Sequence, residues 1–448
     1  MCIERENTMK ITLGDEQVVA IGPRYEDSYW GQFQFPHLYS GKDGSVLVHV
    51  HNGDDNWEEI GTADLWFTSQ NWGENWETVA NVENVPKGVL LPSGDRLTPT
   101  ARPSQPLDLS KVQAPMKITT AFLPNEPLWA KSDDPNVLPQ PRGSYCDVWG
   151  QRHCIYHTAD LPDGMFEHLN EWPMLRIKAG EREQKLEWVK LHGWENMGLH
   201  IAFPPETNKA IPLLPQCLGN LKMGPDGRLW TAVYWNGLHP SGAFTPFTNV
   251  YVLYSEDNGY NWHLQGFVPY TPDPFEYENA YICCGYAEPD FVFAPDGSMV
   301  MILRTTDVFK GDKEWSPSYI TRSTDQGKTW SKPVRFDEIG VLPGMCLVGD
   351  VTLAIYGRPG IYVRATDDPS AMKWEDPVEV MTPNDRSGLM NEPPVRPDFH
   401  QWAGSCCNCS ILSLDDSHAM IAYSDFYHLC DDGVRRKSIK TRIVTVEK

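Results

Sequence analysis

The chain has 448 residues, of which 41% are hydrophobic, and a formal net charge of -22 with a sequence pI near 5.0. Such an acidic chain repels nucleic-acid phosphates and anionic membrane surfaces. No apolar segment reaches the length of about 18 residues that a membrane-spanning helix needs, and the N-terminal residues MCIERENTMK lack the apolar region of a signal peptide. We therefore expect a soluble cytoplasmic protein with neither a nucleic-acid nor a membrane partner.

Strand-length apolar segments separated by turns follow one another along the chain. GSVLVHVHN at 44–52, VYVLYS at 250–255 and SMVMILRT at 298–305 are alternating or continuously apolar. Asp-Gly pairs begin at Asp43, Asp226 and Asp296. Such a pair next to apolar segments is a strong hairpin signal, because glycine accepts a positive φ and aspartate bonds the turn backbone. The pattern predicts many short antiparallel strands.

Three stretches depart from this pattern. Residues 81–150 are rich in proline, and we expect them to form a long loop with some strands that covers part of the functional site. Residues 174–198 are the one place where a helix is predicted. Cys406, Cys407 and Cys409 contain a Cys-x-x-Cys spacing without a second such pair, so we favour buried strand packing over a metal or redox site. We expect no metal, no cofactor and a single domain over residues 1–448.

A second motif, Ser-x-Asp-x-Gly-x-x-Trp, occurs as STDQGKTW at 323–330 and as SEDNGYNW at 255–262. SQNWGENW at 69–76 replaces the Asp by Asn, and TDDPSAMKW at 366–374 is one residue longer and lacks the Gly. TADLPDG at 158–164 is a candidate fifth copy without its Trp. We call this motif the turn box, because its Ser and Asp side chains can bond the backbone of a tight turn. The Trp can pack against a neighbouring unit.

The two motifs repeat in step. From Asp43, Asp226 and Asp296 to the Ser of the next turn box there are 26, 29 and 27 residues. A fixed spacing of two turn signals is typical of a repeated structural unit. We interpret each unit as four antiparallel strands.

The turn boxes at 255–262 and 323–330 resemble the Asp-box repeats of the sialidase superfamily, whose fold is a six-bladed β-propeller. The resemblance implies an all-β chain closed by an N-terminal strand around Ile11–Ile21. It places the six blades near 34–76, 117–165, 217–262, 285–330, 345–374 and 404–446. In that superfamily the boxes lie away from the active site, so they predict a fold and not a reaction.

Sialidases hold the carboxylate of their substrate with three arginines and use a tyrosine paired with a glutamate as the nucleophile. The resemblance assigns the glutamate to Glu288, in YAEPDF, and the second arginine to Arg304. It assigns the third arginine to Arg358, in preference to Arg364. Two alternatives stay open: Glu288 and Arg304 can form a structural ion pair, and Arg358 can serve only its Gly-Arg-Pro-Gly turn.

Two members of the sialidase set are missing. Gln34, in QFP, stands where the first arginine is expected, and Asn408 or a neighbouring cysteine stands where the tyrosine is expected. A neutral tyrosine suits a substrate with a carboxylate beside the reacting carbon, so the two losses agree with each other. We therefore expect that the chain is not a true sialidase, and that Gln34 contacts a different sugar.

Glycoside hydrolysis commonly needs two carboxylates, one of which donates a proton. Asp54 and Asp55, in HVHNGDDNWEE, fall where the acid loop of sialidases lies, and their alternative interpretation is an exposed acidic turn. His37 and His400 are candidate bases, each with a structural histidine as its alternative.

Three aromatic side chains in YWNGLHPSG are candidate platforms for a sugar ring: Tyr234, Trp235 and His239. The alternative for Trp235 is a place in the core between blades. Together the candidates favour an exo-acting glycoside hydrolase that cleaves a non-sialic-acid sugar from a short oligosaccharide. The alternatives are a uronic-acid lyase with a histidine base and a carbohydrate-binding propeller without activity. In all three, the partner is a small carbohydrate.

Overall fold

The computed structural model describes residues 9–28, 31–41, 43–53, 64–80, 88–100, 107–108, 141–146, 152–161, 168, 170–181, 183–193, 199–203, 209–213, 221–238, 244–270, 285–305, 308–310, 313–315, 317–358, 360–382 and 408–447. Within these ranges, no helix is long and apolar enough to cross a membrane. The regular structure there is β-strand apart from two short 3-10 helices, Tyr25–Asp27 and Thr158–Asp160.

The strands of the N-terminal half are β1 (Lys10–Leu13), β2 (Gln17–Ile21), β3 (Gln34–Ser40), β4 (Val46–His51), β5 (Leu65–Ser69), β6 (Glu77–Thr78), β7 (Val89–Leu90), β8 (Arg96–Pro99), β9 (Leu107–Asp108), β10 (Gly143–Cys146), β11 (Arg152–Tyr156), β12 (Glu171–Ile177), β13 (Gln184–His192), β14 (Leu199–Phe203) and β15 (Lys209–Leu213).

The strands of the C-terminal half are β16 (Lys222–Met223), β17 (Leu229–Leu238), β18 (Phe244–Ser255), β19 (Asn261–Val268), β20 (Tyr286–Phe293), β21 (Met299–Thr305), β22 (Val308–Lys310), β23 (Lys313–Trp315), β24 (Ser318–Ser323), β25 (Val334–Asp337), β26 (Val341–Val348), β27 (Val351–Gly357), β28 (Ile361–Thr366), β29 (Val378–Met381), β30 (Cys409–Ser413), β31 (His418–Leu429) and β32 (Arg435–Glu447).

Six units of four strands account for most of the described residues and form the blades of a β-propeller. In chain order they are β3-β4-β5-β6, β7-β8-β12-β13, β16-β17-β18-β19, β20-β21-β24-β25, β26-β27-β28-β29 and β30-β31-β32-β1. The fourth strands of the second and third units, β13 and β19, pair parallel and join these two units into one eight-stranded sheet. The first strands of adjacent blades pack side by side, as in β20 with β26, β26 with β30 and β30 with β3. The first strand of each blade therefore lines the central axis.

The propeller is closed by its N-terminus, as predicted. Both β1 and β2 pair antiparallel with β32, the third strand of blade 6. Chain ends that share one blade close the ring by backbone hydrogen bonds, which leaves fewer strand edges unpaired.

The second blade differs from the prediction. Its strands fall between Val89 and His192, and not within 117–165, because the insertion separates β8 from β12. Strands β9, β10, β11, β14 and β15 form a separate sheet. The prediction that residues 81–150 contain blade strands holds for β7 and β8. The predicted helix at 174–198 is wrong, since β12 and β13 form an antiparallel hairpin there.

The turn boxes make the predicted contacts. Ser323 Oγ accepts the N–H of Gly327 at 2.8 Å and donates to Asp325 Oδ1, also at 2.8 Å. Ser255 does the same for its own box, and Gly259 and Gly327 have φ of 83° and 78°. The segment TADLPDG is not a fifth copy of the turn box. Its residues 158–160 form a 3-10 helix after β11, whereas the turn between the third and fourth strands of blade 2 lies between β12 and β13.

The Trp of each of the four turn boxes packs into the apolar core shared with the preceding blade, as predicted. Trp262 lies between blades 2 and 3, Trp330 between blades 3 and 4, and Trp374 between blades 4 and 5. Trp76 packs between blades 1 and 6. The motif thus fixes both a turn and the spacing of neighbouring blades.

Candidate functional site

Strand direction decides which candidate residues can meet. The Asp-Gly turns join first to second strands and the turn boxes join third to fourth strands, so both lie at one edge, which we call the lower edge. Antiparallel pairing then places the start of each first strand and the end of each second strand at the opposite, upper edge. Gln34, Glu288, Arg304 and Arg358 all occupy such positions.

Three first strands share the same distortion at the upper edge. Phe35, Glu288 and Leu342 have φ of 48°, 44° and 45°, and each precedes a proline. The strand register shifts at each of these positions. Positive φ is costly for residues other than glycine, and such strain clusters at functional sites. The recurring x-Pro at the start of a blade is a sequence signal for these bulges that the turn motifs do not include.

Glu288 lies at the centre of a charged group between blades 4 and 5. Its Oε1 is 2.6 Å from Nη1 of Arg304, and its Oε2 accepts the backbone N–H of Leu342 at 2.8 Å. The two side chains are 16% and 10% exposed. Hydrogen bonds from a cation and an amide hold a carboxylate in one orientation. The structure therefore brings Glu288 and Arg304 together as an ion pair, the contact that the structural alternative for these residues predicts.

Gln34 and Asn408 occupy the predicted positions of the missing arginine and tyrosine, and they contact each other. Nδ2 of Asn408 donates to Oε1 of Gln34 at 3.1 Å, and both side chains are buried. The adjacent Cys409 Sγ lies 3.3 Å from the carbonyl oxygen of Leu342. Together with the contact between Leu342 and Glu288, these bonds link the first strands of blades 1, 6, 5 and 4. Two buried carboxamide groups thus meet between blades 1 and 6.

Arg358 lies in a turn at the upper edge of blade 5, and two aromatic candidates contact the cores between blades. Arg358 has φ of 67°, and its N–H bonds the carbonyl oxygen of Gly360 at 3.1 Å in the turn between β27 and β28. Tyr234 packs against the core of blades 3 and 4, and Trp235 against the core of blades 2 and 3. The interblade alternative for Trp235 is therefore the one that its contacts support.

His37 belongs to an aromatic and acidic face of blade 1. Its ring stacks on His49 with 5.9 Å between centroids, and Nε2 of His49 is 2.9 Å from Oδ1 of Asp64. Burial, and secondarily the nearby His49, lowers the pKa of His37 to about 4. His37 is consequently neutral at neutral pH, and its stacking partner is His49 and not the Glu288 group.

Four candidates, Asp54, Asp55, His239 and His400, lie outside the described residues, as do Cys406 and Cys407. Within the part of the chain that the structure describes, no three His, Cys, Asp or Glu side chains are arranged to hold a metal ion. The structure also shows two charged residues beside Glu288 that no motif identified. Asp290, on the same strand as Glu288, forms an ion pair of 2.8 Å with Lys222 of β16.

No protein-family model and no curated protein matches the chain. Among solved structures, it is similar over 98% of its length to a protein of unknown function from Dyadobacter fermentans, covering 99% of that chain, with 16% identity and a TM-score of 0.44. It is similar over 96% of its length to NanB sialidase from Streptococcus pneumoniae, covering 70% of that chain, with 12% identity and a TM-score of 0.49.

A third similar structure is Penicillium chrysogenum alpha-L-arabinanase complexed with arabinobiose, with 11% identity, a TM-score of 0.47 and coverage of 96% of this chain and 98% of that chain. Likenesses this distant do not indicate what a protein binds or cleaves. The six blades and their turn boxes, and not these likenesses, show that the fold is the sialidase-like β-propeller that the sequence predicted.

Proposed function

We propose that this protein is a glycoside hydrolase, exo-acting on a non-sialic-acid sugar of a short oligosaccharide, with Glu288 as a reacting carboxylate. The observation that carries the proposal is the Glu288 group itself. A carboxylate is held by Arg304 and the Leu342 N–H at the upper edge, on a residue with a strained backbone. These bonds also join two blades, but a strained backbone at a carboxylate with preorganised donors is typical of a functional site.

The donors around Glu288 decide which role it takes. Each oxygen of the Glu288 carboxylate faces an N–H donor, an arrangement that suits a nucleophile or base better than a proton donor. We assign the proton donor to Asp54 or Asp55. Glycosidases of either stereochemistry place the two carboxyl groups on opposite sides of the scissile bond.

The change from charged to carboxamide groups supports a substrate without a carboxylate at the reacting ring. Gln34 and Asn408 carry no charge, and they bond each other where a sialidase would present an arginine and a tyrosine. Amide groups satisfy sugar hydroxyls, which both donate and accept hydrogen bonds. Arg304 and Arg358 remain as the cationic contacts to the sugar, and Tyr234, Trp235 and His239 as candidate ring contacts. A cytoplasmic location, which the odd cysteine count favours, would limit the substrate to short oligosaccharides.

One observation favours a lyase as the second candidate. His37 is neutral at neutral pH, as the base in an elimination must be, because burial lowers its pKa to about 4. His37 stacks on His49 in blade 1, whereas Arg304 pairs with Glu288 in blade 4. The described contacts therefore do not join the candidate base to the arginine that would neutralise the charge of the substrate. Hydrolysis through Glu288 accounts for more of the site.

The test is a release assay with aryl glycosides of neutral sugars and with intact uronic-acid oligosaccharides. We expect the wild-type protein to release a neutral sugar, Glu288→Gln to lose that release, and the exposed control Glu338→Gln to retain it. A rise in the ultraviolet absorbance of unsaturated uronic acids would establish the lyase instead. Absence of any release, together with sugar binding that survives Glu288→Gln, would contradict hydrolysis and favour a binding propeller.

A further inference from the structure

Two carboxylates of β20 contact the neighbouring blade in the same way. Glu288 accepts the N–H of Leu342 at 2.8 Å through Oε2, and Asp290 accepts the N–H of Met345 at 2.6 Å through Oδ2. Glu288 lies within the bulge of β20 and Asp290 follows it, while Leu342 lies within the bulge of β26 and Met345 follows it. The two distorted strands are therefore held opposite each other by paired bonds.

Lys222 connects this pair of strands to a third blade. Its Nζ lies 2.8 Å from Oδ1 and 2.9 Å from Oδ2 of Asp290, and it donates to the carbonyl oxygens of Phe291 and Met345. The lysine stands in β16, the first strand of blade 3. One ammonium group thus contacts the first strands of blades 3, 4 and 5.

The surroundings make this contact a strong one. The Lys222 side chain is 26% exposed and that of Asp290 is 12% exposed, so solvent screens their attraction only partly. An ammonium has three N–H donors, and four oxygens of two strands converge on it here. Breaking one partner from such a pair leaves an uncompensated charge, which costs more than an exposed ion pair would.

We propose that Lys222 is a positioning residue for the Glu288 carboxylate. Its ammonium fixes the separation of β20 from β26, and that separation brings the Leu342 N–H within hydrogen-bonding distance of Glu288. Lys222 acts through Asp290 and the Met345 carbonyl oxygen and does not touch the sugar. The consequence for catalysis rests on the proposed function, while the consequence for the two strands does not.

The experiment compares hydrogen exchange of backbone amides, by mass spectrometry, in Lys222→Met, Asp290→Asn and the matched control Lys440→Met. Lys440 is also a largely buried lysine between two carboxylates, 2.6 Å from Glu16 and 2.8 Å from Asp425, but it ties blade 6 to the N-terminal segment. Asp290→Asn keeps the shape of the side chain and an oxygen that can accept the Met345 N–H. It therefore tests the same ion pair if Lys222→Met does not fold.

We expect exchange in residues 286–293 and 341–348 to rise about tenfold or more in both site variants and to stay at the wild-type level in Lys440→Met. On a cleaved glycoside, the same two variants should lower kcat with little change in KM, because a misplaced Glu288 affects the reaction more than ground-state binding. Unchanged exchange at 341–348 in Lys222→Met would overturn the positioning role even in an active enzyme. A wild-type protein that cleaves nothing would overturn the proposed function and leave the exchange comparison intact.

Discussion

The backbone N–H of Leu342 in blade 5 donates to the Glu288 carboxylate in blade 4, at 2.8 Å. Both residues have positive φ and both precede a proline, so two strained positions in adjacent blades are bonded to each other. The bulge at Glu288 turns a side chain toward blade 5, and the bulge at Leu342 turns a backbone N–H toward blade 4. The candidate site is therefore a property of the interface between blades, and substitutions that shift one blade should affect it.

The guanidinium of Arg358 provides a test that separates binding from turn structure. Its φ of 67° favours glycine, so Arg358→Gly relieves backbone strain and should keep the melting temperature close to that of the wild type. If the guanidinium contacts the sugar, the variant should bind sugar about tenfold or more weakly, as measured by calorimetry. Unchanged affinity with a lower melting temperature would instead assign Arg358 to its turn.

The turn boxes should matter for stability and not for catalysis. Ser323→Ala removes the acceptor of the buried Gly327 N–H, and we expect it to lower the free energy of unfolding by about 1–3 kcal/mol in chemical denaturation. Ser255→Ala should cost a similar amount, whereas Ser413→Ala, which loses only a contact of 3.4 Å, should be nearly neutral. Because the boxes lie at the lower edge, glycoside release should persist in all three. Loss of release in a folded Ser323→Ala protein would contradict this separation of the two edges.

Blade spacing makes a prediction at Gly266. A Cβ there would lie 1.9 Å from the carbonyl oxygen of Gly327, in the turn box of the next blade. Backbone cannot move aside as a flexible side chain can, so Gly266→Ala should destabilise the protein by about 1–3 kcal/mol. The control is Gly14→Ala, whose Cβ would meet Ile443 at an ordinary 3.5 Å. Equal melting temperatures for the two variants would show that blades 3 and 4 are packed less tightly than the structure has them.

The pKa of His37 predicts a pH dependence of stability. Burial keeps this histidine neutral in the folded state down to about pH 4, whereas in the unfolded chain it takes up a proton near pH 6.5. The unfolded state therefore binds more protons in this interval, and stability falls as the pH decreases through it. In His37→Gln the fall between pH 6.5 and about 4 should be shallower, as measured by denaturant unfolding at several pH values. An identical slope in both proteins would mean that His37 is charged in the folded state.

Much of the fold could be predicted because its turns depend on local chemistry. Asp-Gly pairs and turn boxes specify positive φ and side-chain bonds within a few residues, so they mark blades 1, 3, 4 and 5 directly. Blade 2 has neither motif in full. Its turn between β12 and β13 contains Gly180 with a positive φ. The N–H of Ala179 in this turn donates to Oδ1 of Asp95 at 2.9 Å. A partner 84 residues away leaves no local signal.

The candidate site was predictable only where the resemblance supplied a position. Motifs placed Glu288, Arg304, Gln34 and Asn408. The structure has Glu288, Gln34 and Asn408 on or next to the first strands of blades 4, 1 and 6, and Arg304 on the second strand of blade 4. Lys222 was missed because β16 has only two residues and no repeat, and its partners come from two other blades. Such contacts arise from the closure of the ring, which no short segment encodes.

The most direct test of the central claim is kcat/KM of wild-type protein and Glu288→Gln on a neutral aryl glycoside. We predict a loss of about 100-fold or more in the variant, because an amide cannot act as nucleophile or base. Sugar affinity should stay within a few-fold of wild type, and circular dichroism should show a folded protein. Equal kcat/KM values for the two proteins would contradict a reacting role for Glu288.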